Sequence, residues 1–578
     1  MSSHNKADNG KTRYFFGALF VCGALLFPFF ESANQEALQQ MFALGVLVVA
    51  GLLFGINAIN PIALATFCAV IFIIAMRSSH YAGGLVSGIA GILLLVVACH
   101  VGEHLKRNTV KLAWLLAAIA TAAVVNAAEG LLQWLGLVGH LAPWVVVPEN
   151  RGIAYGAFGQ RNLFASFMCV GSVTTIWLFY KRHLSESMAW FLGLILMFGV
   201  AASGSRTGII EVVVLSGWGL LWSGQQNFAV RRLLVGQALL LAGALMVLPV
   251  LAQWHGFDFV SAVARAGQPG QDARLTIWDN ALTLISLRPW AGWGWYDTGY
   301  AHYVTLFSNR HGELVGNVHN LPLQLAVEFG LPATFALFAA LLWVVLVSKA
   351  YARRAPLRFQ DANISASDRP FAWALLTLIV AIHSMLEYPL WHAKFLFLTG
   401  FALGYVLPSP SGEGLCLTYR KWTARAARLV ALSLVLLAMV AWHQFADILP
   451  IYKTPFTKDR EVQRQNMTVA IANASNSWLF QEHLDFATLG ITEVTSQNAG
   501  AVRALAEKLL HHSAEPAVIQ PLLLSLWYLQ DAPALRFHAE RFCRAFPAEF
   551  QRWSKEYAGH PILGVAARAP STCLAVTP

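Results

Sequence analysis

Apolar residues fall into long runs divided by short polar breaks, from residue 14 to residue 446. Each run is close to the roughly 20 residues a helix needs to cross hydrocarbon. By that criterion the pattern predicts about thirteen transmembrane helices. They fall near 14–30, 41–56, 60–76, 82–100, 112–138, 163–180, 187–203, 207–223, 232–252, 321–349, 371–389, 391–408 and 428–446. A soluble enzyme with one large core has no need of so many separate runs. The expected fold is all-α, a polytopic helical membrane protein. It has a long loop at 253–320 and a C-terminal helical domain at 447–578, where apolar residues recur at helical spacing between turn-like breaks. The first run follows Lys6, Lys11 and Arg13, as in a signal peptide. The "ESANQEA" after it lacks a clean small-x-small pattern, so the run reads as an uncleaved first span.

The polar breaks carry an orientation signal. With the N-terminus cytoplasmic, "EHLKRNTVK", "KRH", "VRR", "SKAYARRAPLR" and "YRKWTARAAR" all fall in cytoplasmic loops, and all are basic. "ESANQEALQQ", without Lys or Arg, falls outside. An odd number of spans then places 447–578 outside, which in a bacterial protein is the periplasm. Four regions follow: N-terminal helices at 1–150, a polar-rich membrane region at 151–408 that includes the loop, a linker and last helix at 409–446, and the periplasmic domain. Composition agrees. The chain is 57% hydrophobic and only 12% charged, against roughly 25% charged in soluble domains. The net charge of +10 is explained by basic cytoplasmic loops, so no nucleic-acid partner is expected. Cys543 and Cys573 leave two alternatives open, a disulfide in an oxidising compartment or two free thiols.

The same topology sorts the unusual residues. "YGAFGQRNLFAS" (155–166), "ASGSRTGII" (202–210), "GQDARLTIWDNALTLISLRPWAGWGWYDTGY" (270–300), "NVHNLPLQ" (317–324) and "HSMLEYPLWHAK" (383–394) all fall on the outer face. Each has a bland reading. Arginines snorkel to lipid phosphates, Asn162, Ser205 and Asn320 cap helices, and Tyr388 and Trp391 suit an interfacial belt. Together, however, Arg161, Arg206 and Arg274 run against the positive-inside bias and call for an anionic partner. Arginine forks match phosphate, and helix N-termini add positive potential. A lipid-linked diphosphate fits, with Gln160 and Asn162 placed for phosphate or sugar oxygens. No "DxD" pair and no carboxylate-rich outer loop favours a metal, so neither metal nor cofactor is expected.

The motifs "FGQRNLFAS", "SGSRTG", "DARLTIWDNAL…RPWAGWGW", "VHNLPLQLAVEFG" and "EYPLWH", in this order over about residues 150–400, resemble the Wzy_C superfamily. That superfamily holds O-antigen ligases, O-antigen polymerases and PglL-type protein O-oligosaccharyltransferases. The "QRN" and "EYPLWH" forms and the long tail resemble the protein-glycosylating branch most. The resemblance implies transfer of a glycan from undecaprenyl diphosphate to a protein Ser or Thr hydroxyl, with a type IV pilin as acceptor, at the periplasmic face of the inner membrane. It also implies that His319, Arg206 and Tyr388 are catalytic. Gln160 and Arg274 match donor-binding positions; Arg161, Asn162, Asn320 and Glu387 complete the expected substrate-binding set. An imidazole with an ordinary pKa near ~6.5 suits His319 to take the serine proton, and arginines would stabilise the departing diphosphate. The expected displacement is single and inverting. An O-antigen ligase or polymerase is the nearest rival. A carrier for lipid-linked glycans is a second; Glu129, in the fifth span, is the one residue that favours it.

Overall fold

The computed structural model describes residues 2–27, 35–77, 80–142, 144–221, 228–259, 261–262, 273–354, 368–409, 417–453 and 460–566. Among these the secondary structure is helical and contains no strand. Among the same residues, seven helices are long and apolar enough to cross a membrane. The expected spans near 60–76, 321–349, 371–389 and 391–408 correspond to shorter apolar helices. Cys573 lies outside the described residues; Cys543 is buried.

The chain divides into two compact units. The first comprises Met1–Ala69, Ala90–Gln271 and Ala339–Trp442; the second comprises Val70–Ile89, Asp272–Phe338 and His443–Pro578. The helices of the membrane region, in chain order, are α1 (Ser2–Leu26), α2 (Gln35–Phe54), α3 (Pro61–Met76), α4 (Ala82–Leu105), α5 (Thr109–Leu135), α6 (Arg161–Tyr180), α7 (Glu186–Ser203), α8 (Arg206–Leu221) and α9 (Phe228–Trp254).

In the first unit α6 is the central helix, buried along nearly its whole length and packed by α5, α7 and α8. Its interior surface mixes Leu163, Phe167 and Trp177 with Ser166, Ser172, Thr174 and Thr175. Between apolar helices in lipid, association depends on close packing and a few polar contacts. Gly171 supplies the first: a Cβ there would lie 2.3 Å from that of Ala123 on α5. Ser172 supplies the second, donating to Gln237 Oε1 on α9 at 2.9 Å.

Two expected straight spans are broken. Residues 321–349 form two helices, Leu321–Phe329 and Leu331–Arg354, parted at Gly330. Its φ of 81° and ψ of 169° lie in a region only glycine enters cheaply. Residues 371–389 begin as an α-helix at Arg369–Leu376, widen into a π-helical stretch at Thr377–Ile382 and tighten into a 3₁₀ turn at His383–Met385. π-helical segments commonly accompany functional sites, and this one delivers the chain to the "EYPLWH" turn.

The second unit holds α10 (Ala273–Leu287), α11 (Thr298–Val304), α12 (Leu321–Phe329) and the start of α13 (Leu331–Arg354). The first unit then continues with α14 (Arg369–Leu376), α15 (Ala393–Val406) and most of α16 (Leu417–Lys453). The tail adds α17 (Arg460–Asn473), α18 (Gln481–Ile491), α19 (Ala499–Leu510), α20 (Pro516–Tyr528), α21 (Ala532–Ala545), α22 (Pro547–Glu556) and α23 (Pro561–Ala566) to the second unit. Tail and loop share one core there, with Tyr81 and Tyr303 buried among Val518, Leu522, Leu526 and Phe542. Polar contacts fasten it: the Tyr303 hydroxyl to His538 Nδ1 at 3.1 Å, Arg541 Nε to Val304 O at 2.8 Å, and His511 Nδ1 to Asp297 Oδ1 at 2.8 Å.

Candidate functional site

In the first unit three of the five polar turns meet. The turn before α6 is held from α5. Asn126 Oδ1 accepts from Ala157 N at 2.9 Å, and Gln133 Oε1 accepts from Gly156 N at 2.7 Å. Gln39 Nε2 donates to Ala157 O at 2.6 Å. This clamp fixes where α6 starts, and so where Gln160, Arg161 and Asn162 stand. The α7–α8 turn is as tightly specified. Gly204 takes a left-handed conformation with φ of 59°, the role glycine fills at helix C-termini. Ser205 Oγ then accepts from Gly208 N at 3.1 Å and starts α8, with Arg206 as its first residue.

Glu387 joins these turns to the third. Its Oε1 accepts from Asn162 Nδ2 at 2.7 Å, and its Oε2 faces Gln160 Nε2 at 3.4 Å. Asn162 Oδ1 accepts in turn from Ser205 Oγ at 2.6 Å. The carboxyl group is only 4% exposed, and the two amides offer it hydrogen-bond donors. Beneath it, Ser166 Oγ donates to Glu211 Oε1 at 2.6 Å, and His383 Nδ1 lies 4.0 Å from the same oxygen. Tyr388 stacks on His392 with ring centroids 6.0 Å apart, and His392 Nδ1 meets Gln40 Nε2 at 2.7 Å. Arg161, Arg206 and Tyr388 are partly exposed beside this buried network. The cluster therefore offers two guanidiniums and a phenol around a rigid amide–carboxylate base.

His319, Asn320 and Arg274 lie in the second unit. His319 itself is left-handed, with φ of 52°, a conformation that costs an L-residue free energy and often marks function. Its N–H donates to Asn317 Oδ1 at 2.8 Å. Asn320 caps α12, its Oδ1 accepting from Leu323 N at 3.1 Å. Trp278, one turn after Arg274 on α10, donates from Nε1 to Val318 O at 3.1 Å, so α10 is tied directly beside the histidine.

Sequence reasoning missed what holds this turn. Gln324 Oε1 accepts from Val318 N at 2.9 Å, while its Nε2 donates to Thr298 Oγ1 and to Glu328 Oε1, each at 2.9 Å. The "RPWAGWGW" stretch clamps the far end of α12. Trp293 N donates to Val327 O at 2.8 Å, Gly294 N to Glu328 O at 3.0 Å and Leu331 N to Pro289 O at 2.8 Å. A Cβ on Gly292 would lie 2.4 Å from Glu328 O, and one on Gly330 2.6 Å from Trp290 O. The available signal was the pairing of "GWG" with "FGLP": glycines spaced for close backbone approach.

Fold and polar turns define a multi-pass, all-helical membrane protein whose polar chemistry is gathered at a few helix breaks. Residues 189–339 match the O-antigen ligase family, Wzy_C. Residues 371–558 match the C-terminal region of the membrane-bound polymerase virulence factors, Wzy_C_2. Both matched stretches are thus similar to families of the Wzy_C type. It is 26% identical over 294 residues to a general O-oligosaccharyltransferase of Acinetobacter baylyi, covering 49% of this chain and 48% of that one. It is 25% identical over 350 residues to the ComP-specific O-oligosaccharyltransferase of the same organism, covering 59% and 60%. An O-antigen ligase of Pseudomonas aeruginosa is 29% identical over 235 residues, covering 40% and 49%. The matched stretches thus span about half to three-fifths of these relatives.

Proposed function

We propose that the chain is an O-oligosaccharyltransferase that moves a glycan from undecaprenyl diphosphate to a Ser or Thr hydroxyl of a protein, a type IV pilin, at the periplasmic face of the inner membrane. The observation that carries the reading is the network of Gln160, Asn162, Ser205 and Glu387, which holds two arginine-bearing turns together. Two relatives named as O-oligosaccharyltransferases support it, and the loop charges support the orientation.

In this reading Arg206 and Arg161 hold the diphosphate and, with Arg274, stabilise its charge as the glycosidic bond breaks. His319 takes the proton from the acceptor hydroxyl as the oxygen attacks the anomeric carbon. Tyr388 orients the diphosphate or the acceptor, and Asn320 sets the turn that aims His319. Glu387 is a positioning residue. Both its oxygens face amides, which argues against a covalent glycosyl–carboxylate step, so one inverting displacement is the favoured course. The reading calls for no metal or cofactor.

A second reading, ligation of O-antigen to a lipid acceptor, is favoured by the 29% identity to an O-antigen ligase. Expression in a bacterium that makes lipid-linked glycan separates the two. Glycopeptides with the intact glycan on Ser or Thr support protein transfer; glycan found only on lipopolysaccharide overturns it.

A further inference from the structure

A cavity of about 280 Å³ opens in the second unit between the chain that follows α11 and the α21–α22 junction. Tyr303, Phe307 and Pro547 form apolar walls, and Arg310, Arg541 and Arg544 face it. Residue 540 supplies the local carboxylate: Glu540 lies 3.6 Å from Arg541 and 3.3 Å from Arg544. Arg310 has no carboxylate in ion-pair range among the described residues. Its Nη1 donates to His302 O at 2.6 Å, its Nη2 meets His302 Nδ1 at 3.1 Å, and its buried Nε has no hydrogen-bond partner there. Arg541 is anchored by the Val304 carbonyl and by the Phe537 ring, 3.4 Å from its guanidinium carbon. Three guanidiniums thus line the cavity, two of them held by backbone carbonyls, and Glu540 pairs with only Arg541 and Arg544. Preorganised arginine forks with surplus charge suit a carboxylate.

We propose that this cavity binds an acidic segment of the protein acceptor, with an Asp or Glu carboxylate on Arg310 and Arg544 and a neighbouring apolar side chain against Phe307 and Pro547. The inference rests on the protein-transfer reading above and adds the chemistry by which the acceptor is recognised. The apolar walls favour a peptide over an acidic sugar: Leu306, 41% exposed beside Thr305 and Ser308, leaves apolar surface that a neighbouring apolar side chain would cover and a hydroxylated sugar would not.

The test uses the detergent-solubilised full chain and a short labelled peptide alternating Asp or Glu with Leu, against its Asn/Gln counterpart. The acidic peptide is expected to bind about tenfold tighter, a difference of roughly 1.4 kcal/mol. Arg544→Glu should abolish the preference, and Arg544→Lys should keep part of it. Arg544 is 38% exposed at its side chain, so both variants are expected to fold, which thermal melting checks. Equal binding of the two peptides, or a preference unchanged in Arg544→Glu, would overturn the proposal. So would displacement of the peptide by free glucuronate at matching concentration, which would assign the cavity to an acidic sugar. If an Arg544-dependent preference is found but no protein is glycosylated, the transfer reading fails and the cavity stands. If transfer proceeds and the preference is absent, the cavity assignment alone fails.

Discussion

Asn162 sits between two partners and uses both ends of its amide, which makes an isosteric exchange informative. Asn162→Asp keeps the oxygen that accepts from Ser205 at 2.6 Å. It replaces the amide that donates to Glu387 at 2.7 Å with a second carboxylate oxygen. A charge-assisted hydrogen bond contributes about 1.5–3 kcal/mol, and the Gln160 contact at 3.4 Å is too long to replace it. At about 1.4 kcal/mol per decade, a site that depends on this geometry should lose roughly 10- to 150-fold in transfer. Glu387→Gln should lose a similar amount when its new amide meets that of Asn162. Combining Asn162→Asp with Glu387→Gln reverses the polarity of the pair. The introduced glutamine then donates to the introduced aspartate and still offers its oxygen to Gln160. Transfer by the double variant should recover to within about tenfold of the parent, a coupling that a double-mutant cycle isolates. Initial rates with purified lipid-linked donor and acceptor, normalised to folded protein, provide the assay. A double variant no better than the worse single one would refute the argument that this pair joins the turns.

Other expectations follow from the second unit and the arginines. His319→Ala should cut transfer about 10²–10⁴-fold, as loss of a general base does, while thermal melting stays near that of the parent; near-parental turnover removes His319 from the chemistry. Gly330→Ala should lower stability by roughly 1–3 kcal/mol from backbone strain alone, before any contact with Trp290 O; an unchanged melting temperature would contradict the clamp. Arg206→Lys should be nearly as damaging to transfer as Arg206→Ala, because lysine loses the fork; a silent lysine variant would reduce Arg206 to a diffuse charge. Acid should loosen the second unit through His302, whose pKa is pushed down to about 3 by burial first and Arg310 second. Its Nε2–H donates to Asn280 Oδ1 at 3.2 Å, leaving Nδ1 to accept from Arg310. The unfolded imidazole takes a proton near ~6.5 that the folded site refuses, so stability is full above that pH and falls below it by up to ~1.4 kcal/mol per unit. Melting between pH 7 and 5 should show this slope together with that of His483, His512 and His538, which burial also pushes down, and His302→Gln should reduce it; an equal slope in that variant would contradict the assignment.

Helix content and the polar turns were legible because long apolar runs and clustered polar residues are strong signals. The partners that build the site were not. Asn126 and Gln133 share the apolar run of α5, and Gln237 and Gln324 lie in two others; averaging over a span erases them, yet each holds a backbone or side-chain group in place. The break at Gly330 was written in "FGLP", but the apolar run on either side outweighed it. The π-helical stretch at Thr377–Ile382 has no local signature, since Leu, Ile and Val fit either ladder. Broken helices are also what a carrier would show; here the π-helical break adjoins the turn that carries Glu387, and the Gly330 break ends the short helix that begins just after His319. The second unit explains part of the tail without reference to an acceptor, for Arg541, His511 and His538 fasten the segment that carries His319.

Reconstitution of the purified full chain with undecaprenyl-diphosphate-linked oligosaccharide and a pilin acceptor tests the central claim most directly, with intact-mass and glycopeptide analysis of the acceptor as readout. Addition of one complete glycan to a Ser or Thr, lost in His319→Ala and in Arg206→Ala, is the predicted result. An unmodified pilin, with the glycan still on its lipid carrier or moved to a lipopolysaccharide core supplied in parallel, would contradict it.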